Sequence, residues 1–226
     1  MVEVFLAPTV DYERAWQWQQ HRVQQVAAGE KPEAFLLLEH PHVITLGRGS
    51  HAEHILVTED ERRQRGIQLI EVDRGGDVTY HGPGQLVGYP ILRFARDSYD
   101  GRRYLRDLEE VLIRVLRDFG VEATRKEGYT GVWVENEKIA AIGVKLHRTK
   151  DGGFVTSHGF AINVHTDLTY FRYIVPCGIQ EYGVTSLDQL GIDSSIAALA
   201  ERVVSHFQDV FQRTACIMKV KELPGD

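Results

Sequence analysis

Cys177 stands in the stretch IVPCGI, between a proline that fixes the approach of the chain and a glycine that frees its exit. A thiol so placed, with polar loop sequence after it, could meet a substrate as a nucleophile. The thiolate is the reactive form, and an ordinary thiol ionises near pH 8.5, so at neutral pH it needs a cation beside it. Lys138, Arg74, His81 and His158 are the available activators, and the sequence does not bring them together in space. The alternative role is packing, since free cysteines are among the most buried residues. That is the role expected for Cys216 in the apolar stretch CIMKV.

Four segments concentrate residues that a strand or a core holds at a cost: RGGDVTYHGPGQ (74–85), KIAAIG (138–143), SHGFAIN (157–163) and IVPCGI (174–179). In the first, Gly75, Gly76, Gly82 and Gly84 with Pro83 let the backbone approach a ligand closely and keep the loop stiff, or else form a tight connection between strands. Arg74, Tyr80 and His81 add a cation, an aromatic ring and a titratable group. The segment matches neither the GxGxxG dinucleotide pattern nor the GxxxxGK[ST] phosphate loop. His40, His42, His51 and His54 crowd one stretch without a cysteine partner or HExxH spacing, so strand-end and loop roles are expected for them and no metal.

The elements that must position these residues are legible in outline. VEVFLAP reads as a strand, and the helix after it puts Tyr12, Trp16, Val23 and Val26 on one face and ends at Gly29. AFLLLEH and HVITLGRG read as short strands. Thr58 and Glu61 have the spacing of a capping box for a short helix ending near Gly66. IQLIEVD and LVGYPILRF read as strands on either side of the glycine segment. In GRRYLRDLEEVLIRVLRDFG, Leu105, Leu108, Leu112, Val115 and Phe119 recur at steps of three and four. VEATRKE, GVWVENE and KIAAIGVKLHR follow as strands, and FVTSHGFAINVHT returns from the TKDGG turn as a long hairpin. A helix over Ser195–Gln212 and a strand CIMKVKEL close the chain. The pattern predicts a single α/β (mixed α+β) domain over 1–226, with a small C-terminal lobe from about 186 as a variant.

Composition is that of a globular protein: 226 residues, 43% hydrophobic and 26% charged, with net charge −6. The acidic balance argues against nucleic acid as a partner. Two cysteines are too few for a disulfide framework and fit a reducing compartment. The N-terminus lacks a basic region followed by an apolar stretch, and no run is long enough to span a membrane, so the cytoplasm is expected.

Taken together and in this order, EHPHVITLGR, RGGDVTYHGPGQLVGYPIL, KIAAIG, HGFAINV and IVPCGIQEYGVTSL resemble the lipoyl(octanoyl) transferase family over roughly residues 3–215. The resemblance implies the fold of the biotin and lipoate protein ligase catalytic domains, with a mixed, largely antiparallel sheet flanked by helices. It implies transfer of an octanoyl or lipoyl group from octanoyl-acyl carrier protein to the lysine of lipoyl domains, those of 2-oxoacid dehydrogenases and of glycine cleavage H protein. Neither cofactor nor membrane is implied, and a monomer is expected. Cys177 matches the family's thioester cysteine and Lys138 its catalytic lysine. Arg74, Gly75, Gly76, Asp77, Val78, Thr79, Tyr80 and His81 match the segments lining the acyl site, as do Ala141, Ile142, Gly143, His158, Gly159, Phe160 and Ala161. His81 and His158 would orient or relay. The hairpin over 144–158 is longer than the family's usual spacing. The rival readings are an ATP-dependent lipoate or biotin ligase of the same fold and a non-catalytic module that binds a small acid.

KIAAIGVKLHR offers two lysines, and strict alternation along a strand sends Lys138 and Lys145 to opposite faces. The Lys138 face then continues through Ala140, Ile142, Val144 and Leu146, and a lysine edging such an apolar row is a usable base. Lys145 is expected to be a solvated cation, joining Arg48, Arg148 and Lys150 in a docking face for an acidic carrier.

Overall fold

The computed structural model describes residues 1–96, 100–175 and 182–225; Cys177 lies outside the described residues. The chain opens with β1 (Val2–Thr9), crosses over through α1 (Tyr12–Ala28) and returns as β2 (Glu33–Glu39), parallel to β1. Asp11 caps α1 by accepting the Glu13 and Arg14 amides, and Gly29 ends it with φ 76°. Next come β3 (Val43–Leu46), α2 (Glu59–Gln64), whose Thr58 cap accepts the Glu61 amide, and β4 (Gln68–Glu71). The glycine-rich segment, expected as a loop, contains a strand, β5 (Val78–His81). It pairs antiparallel with β3, and β4 pairs parallel with β3 on the other side, so the three make a small separate sheet.

The main sheet is completed by β6 (Gln85–Ile91), β7 (Arg93–Phe94), then α3 (Gly101–Asp118), β8 (Thr124–Lys126) and β9 (Tyr129–Val134). The long hairpin follows as β10 (Glu137–Arg148) and β11 (Phe154–Asn163), then β12 (Gly183–Val184), α4 (Ile196–Phe211) and β13 (Ala215–Lys219). Ten strands lie in this sheet, in the order β13-β1-β2-β6-β11-β10-β9-β8 with β12 on β10 and β7 on β11. Most pairs are antiparallel; β13–β1, β1–β2 and β10–β12 are parallel.

Helices cover both faces. Trp18, Val23 and Val26 of α1 pack on Phe5, Leu36, Leu38 and Ala161. On the other face, Leu108, Leu112 and Val115 of α3 meet Leu199, Val203 and Phe207 of α4 over Phe35, Phe160 and Ile162. Each such side chain contributes about 1.5–3 kcal/mol by leaving water. The residues after 186 belong to these same layers, since α4 packs in this core and β13 pairs with β1. The long hairpin is held along its whole length: its register runs to Arg148 opposite Phe154, β7 pairs with its outer end, and Arg93 meets Asp151 at 2.7 Å.

One irregularity sets the orientation of β10. Lys138 lies opposite Trp133 and Ala140 opposite Val132, with a register shift between them. Ile139 and Ala140 therefore both enter the α3/α4 core with Val132, while Lys138 shares the other face with Trp133. The strict alternation expected from sequence fails here: Lys138 lies on the same face as Ala141, Gly143 and Lys145, not with the apolar row. Gly131 allows the bulge, with φ 125° and a position where a Cβ would stand 2.6 Å from the Ala140 carbonyl oxygen. Gly131→Ala should lower stability by about 1–3 kcal/mol, read as a melting point several degrees lower. An unchanged melting point would show that the bulge does not need glycine.

Candidate active site

On the α1 side of the sheet, beyond the first turn of that helix, a slot runs along β10 and β11. The cavity proper is about 50 Å³, within about 480 Å³ of space that includes its open, solvent-facing side. The two strands meet there rung by rung, Ala141 opposite Ala161, Gly143 opposite Gly159 and Val144 opposite His158. The glycine segment forms the facing wall. Gly75 donates its amide to the Val144 carbonyl at 2.9 Å, and Gly49 donates to the Gly76 carbonyl at 3.0 Å. Both contacts depend on missing side chains: a Cβ on Gly47 would stand 2.3 Å from the Gly76 oxygen, and one on Gly143 would stand 3.1 Å from the Arg74 Cδ and from the Gly75 oxygen.

The residues expected at the acyl site converge here. Arg74, Gly75, Gly76, Asp77, Thr79 and His81 line the slot with Ala141, Ile142, Gly143, His158, Gly159, Phe160 and Ala161. Val78 and Tyr80 do not, because alternation along β5 turns them into the core of the small sheet with Ile44, Val57 and Ile67. Tyr12, Val87 and Tyr89 line it as well; none was among the expected acyl-site residues, although Val87 and Tyr89 lie in the LVGYPIL end of the glycine motif. Tyr12 was legible only as part of an apolar helix face.

Lys138 sits at one end. Thr79, Ala141 and Ala161 line both the slot and an adjoining small pocket whose other walls include Lys138, Phe171 and Val184. Its amine lies 4.8 Å from the centre of the Trp133 ring, and the side chain is largely buried. A wider cleft opens from the same point between Gly49, His51 and His54, the Gly128–Thr130 turn and Leu105, and Lys138 borders that too. The lysine thus stands where a narrow slot meets an open cleft.

The other candidate activators have different work. Arg74 is buried and donates to main-chain oxygens: Asp77 at 2.8 Å and Gly75 at 3.2 Å from Nη1, and Thr45 at 2.9 Å from Nη2, which also reaches the Thr45 hydroxyl at 2.8 Å. It ties the glycine loop to β3. His81 donates from Nδ1 to the Gln85 oxygen at 2.7 Å, and Gln85 in turn donates to Asn163 at 2.9 Å. Burial is the first cause that pushes the His81 imidazole down to about 3, so it is neutral at pH 7. His158 is also pushed down by burial, against the pull of Asp73. Neither ring supplies a cation at neutral pH.

His158 is also far from Lys138. Its cross-strand partner Val144 is six residues along β10, roughly 17 Å of strand once the bulge is allowed for. It reaches the slot because its φ of 55° breaks the alternation of β11, while its amide turns out of the ladder to Gln19 of α1 at 2.8 Å. Lys145 is not the solvated cation expected either: it is half-buried and bonded to Asp73 at 2.5 Å, while Arg48, Arg148 and Lys150 are exposed.

His40, His42 and His54 are held by neighbours. His40 donates to the Val10 carbonyl and accepts the Tyr89 hydroxyl, both at 2.7 Å, and burial holds it down to about 4. His42 stacks on Tyr170 with ring centres 4.3 Å apart, and His54 bonds to Asp77 at 2.5 Å.

The site is thus a narrow, largely apolar slot backed by glycines, with a buried lysine in the pocket that adjoins it. Residues 11–208 match the family model for the lipoyl protein ligase A/B catalytic domain, and the chain belongs to that family. A relative named Octanoyltransferase, from Rubrobacter xylanophilus, is 50% identical over 202 residues, 88% of this chain and 88% of its own. Among solved structures, lipoate-protein ligase A bound with ATP superposes with TM-score 0.77 at 18% identity, over 98% of this chain and 90% of that one. Biotin acetyl coenzyme A carboxylase synthetase from Helicobacter pylori gives 0.50 at 12%, over 92% and 75%. The expected ligase-type fold is therefore present.

The buried neutral histidines have a consequence for stability. An unfolded imidazole binds its proton near pH 6.5, whereas folded His40 does so only near 4 and folded His81 near 3. Between those values the unfolded chain holds more protons, so stability falls as pH falls. Each ring should remove on the order of 2 kcal/mol between pH 7 and pH 5, and the melting point should drop by at least about 4 °C. A melting point that stays level across that interval would contradict the assignment.

Proposed function

We propose that the chain moves an octanoyl group in two covalent steps, from a carrier thioester to Cys177 and from Cys177 to a lysine amine of a lipoyl domain. It is an octanoyl acyltransferase of lipoate biosynthesis, as its relatives at 46–50% identity over most of the chain indicate. The observation that carries the mechanism is the position of Lys138 at the mouth of the slot, in a pocket lined also by Phe171 and Val184. Those two residues lie on either side of segment 176–181, which holds Cys177. That arrangement supports a thiol and a lysine amine working on one carbonyl.

In the first step Lys138 accepts the Cys177 proton, the thiolate adds to the thioester carbonyl, and the carrier thiol leaves with a proton. In the second, the acceptor amine adds to the new thioester, Lys138 takes its proton, and the Cys177 thiol is released. Thioester exchange is nearly isoenergetic and aminolysis is downhill, so the reaction needs no ATP. The slot takes the acyl chain, and the open cleft beyond Lys138 takes the donor arm and then the acceptor lysine. The donor is octanoyl-acyl carrier protein. The acceptors are lipoyl domains of 2-oxoacid dehydrogenases and glycine cleavage H protein, and the enzyme works as a monomer. Exposed Arg48, Arg148 and Lys150 offer charge to acidic partners although the chain is net negative.

Intact-mass analysis after incubation with octanoyl-acyl carrier protein, without ATP, should show one added octanoyl group that hydroxylamine removes. Cys177→Ser should abolish it and Cys216→Ser should leave it. An adduct that survives in Cys177→Ser, or acyl transfer that requires ATP and free octanoate, would overturn the mechanism.

A further inference from the structure

Asp73 immediately precedes the glycine loop and is held from two strands. Its Oδ1 accepts the Nε2–H of His158 at 2.8 Å, and its Oδ2 accepts the Lys145 amine at 2.5 Å. The next residues, Arg74 and Gly75, are the ones that dock the loop on β3 and β10. His158 is 1% exposed, lies 6.4 Å from the Trp16 ring and 6.5 Å from the Tyr89 ring, and lines the slot at the end opposite Lys138. The two ends are separated by far more than the hydrogen-bond reach that a proton carrier needs. His158 is therefore a wall of the slot and not a proton relay.

The wall depends on a charge balance. Neutral His158 faces Asp73 and Arg74 from the loop, Lys145 and His147 from β10, His81 from β5 and Tyr89 from β6, with Trp16 and Gln19 of α1 across it. Asp73, with its carboxyl held well below the usual range first by the His158 hydrogen bond, is an anion beside this ring. Lys145 offsets that anion. Without it, Asp73 would draw a proton onto the imidazole and set a cation at the far end of an apolar slot.

Resting on the octanoyl-transfer reading, we propose that Lys145 is a positioning residue: through Asp73 it anchors the glycine loop and holds the His158 ring as the far wall, and so sets which acyl chain lengths the slot accepts. It touches no reacting atom. Acyl-chain binding is shared by ground and transition states, so its loss appears in KM and not in kcat.

The test compares wild type, Lys145→Met, Lys145→Gln and Lys145→Arg with acyl carrier protein donors of six to twelve carbons, between pH 5.5 and 8.5. The glutamine variant removes the charge but keeps a hydrogen-bond donor on a slightly shorter side chain, which covers the case in which the methionine variant fails to fold. Lys145→Met and Lys145→Gln should raise KM for the octanoyl donor about tenfold at near-constant kcat. They should flatten the preference for eight over twelve carbons and lose further activity toward the acid end. Lys145→Arg should restore all three. Wild-type chain-length preference and a wild-type pH profile in Lys145→Gln would overturn the proposal, as would an arginine variant no better than the glutamine one. A wild-type enzyme inactive with every acyl donor would instead count against the octanoyl-transfer reading itself.

Discussion

The bulge in β10 is the constraint on which the site depends. Two consecutive residues, Ile139 and Ala140, are claimed by the α3/α4 core, and the strand must therefore change phase between the lysine and the slot-lining run that starts at Ala141. That phase change delivers the Lys138 amine to the face with Trp133, 4.8 Å from the centre of its ring. A lysine left on the apolar row would have pointed into the helices. The core thus selects the side on which the chemistry occurs, and Gly131 on the neighbouring strand supplies the space.

The slot itself is made by close backbone approach. The glycine loop lies directly on β10 and on the Gly47–Gly49 turn, pinned by Arg74 and by hydrogen bonds between main chains. Behind the apolar lining stands a layer of buried polar groups in which Tyr12, Tyr89, His40, His81 and Gln85 satisfy one another. Such a network is stable only when every member is paired, and it then holds the wall in one arrangement. Burial keeps its imidazoles uncharged, which suits a surface meant for a hydrocarbon chain. Lys145 with Asp73, a charged pair near the slot, lies at its far end from Lys138.

Much of this could be read from sequence because it rests on local signals. Thr58 caps the short helix that its spacing with Glu61 announces, Ser195 caps the last helix, and Gly29 ends the first with a positive φ. The glycine segment, KIAAIG and HGFA bring residues to one slot, while Val78 and Tyr80 turn away from it. What sequence missed depends on tertiary competition. Val78–His81 became a strand because β3 offered it a partner, despite glycines on both sides. The bulge followed from core packing across β9 and β10, which no periodicity within KIAAIGVKLHR announces. Lys145 resembled a tip residue until the fold brought Asp73 to it from 72 positions away. His158 faces the slot only through a positive φ that is uncommon outside glycine.

The most direct test of this account is a rapid-mixing, single-turnover measurement of octanoyl-thioester formation by Lys138→Met, with its melting point recorded beside the wild type. A lysine that carries the proton at the mouth of the slot predicts acylation slower by about a hundredfold or more in a protein that melts within a few degrees of wild type. Acylation of Lys138→Met at the wild-type rate would contradict it and show that the bulge serves the fold alone.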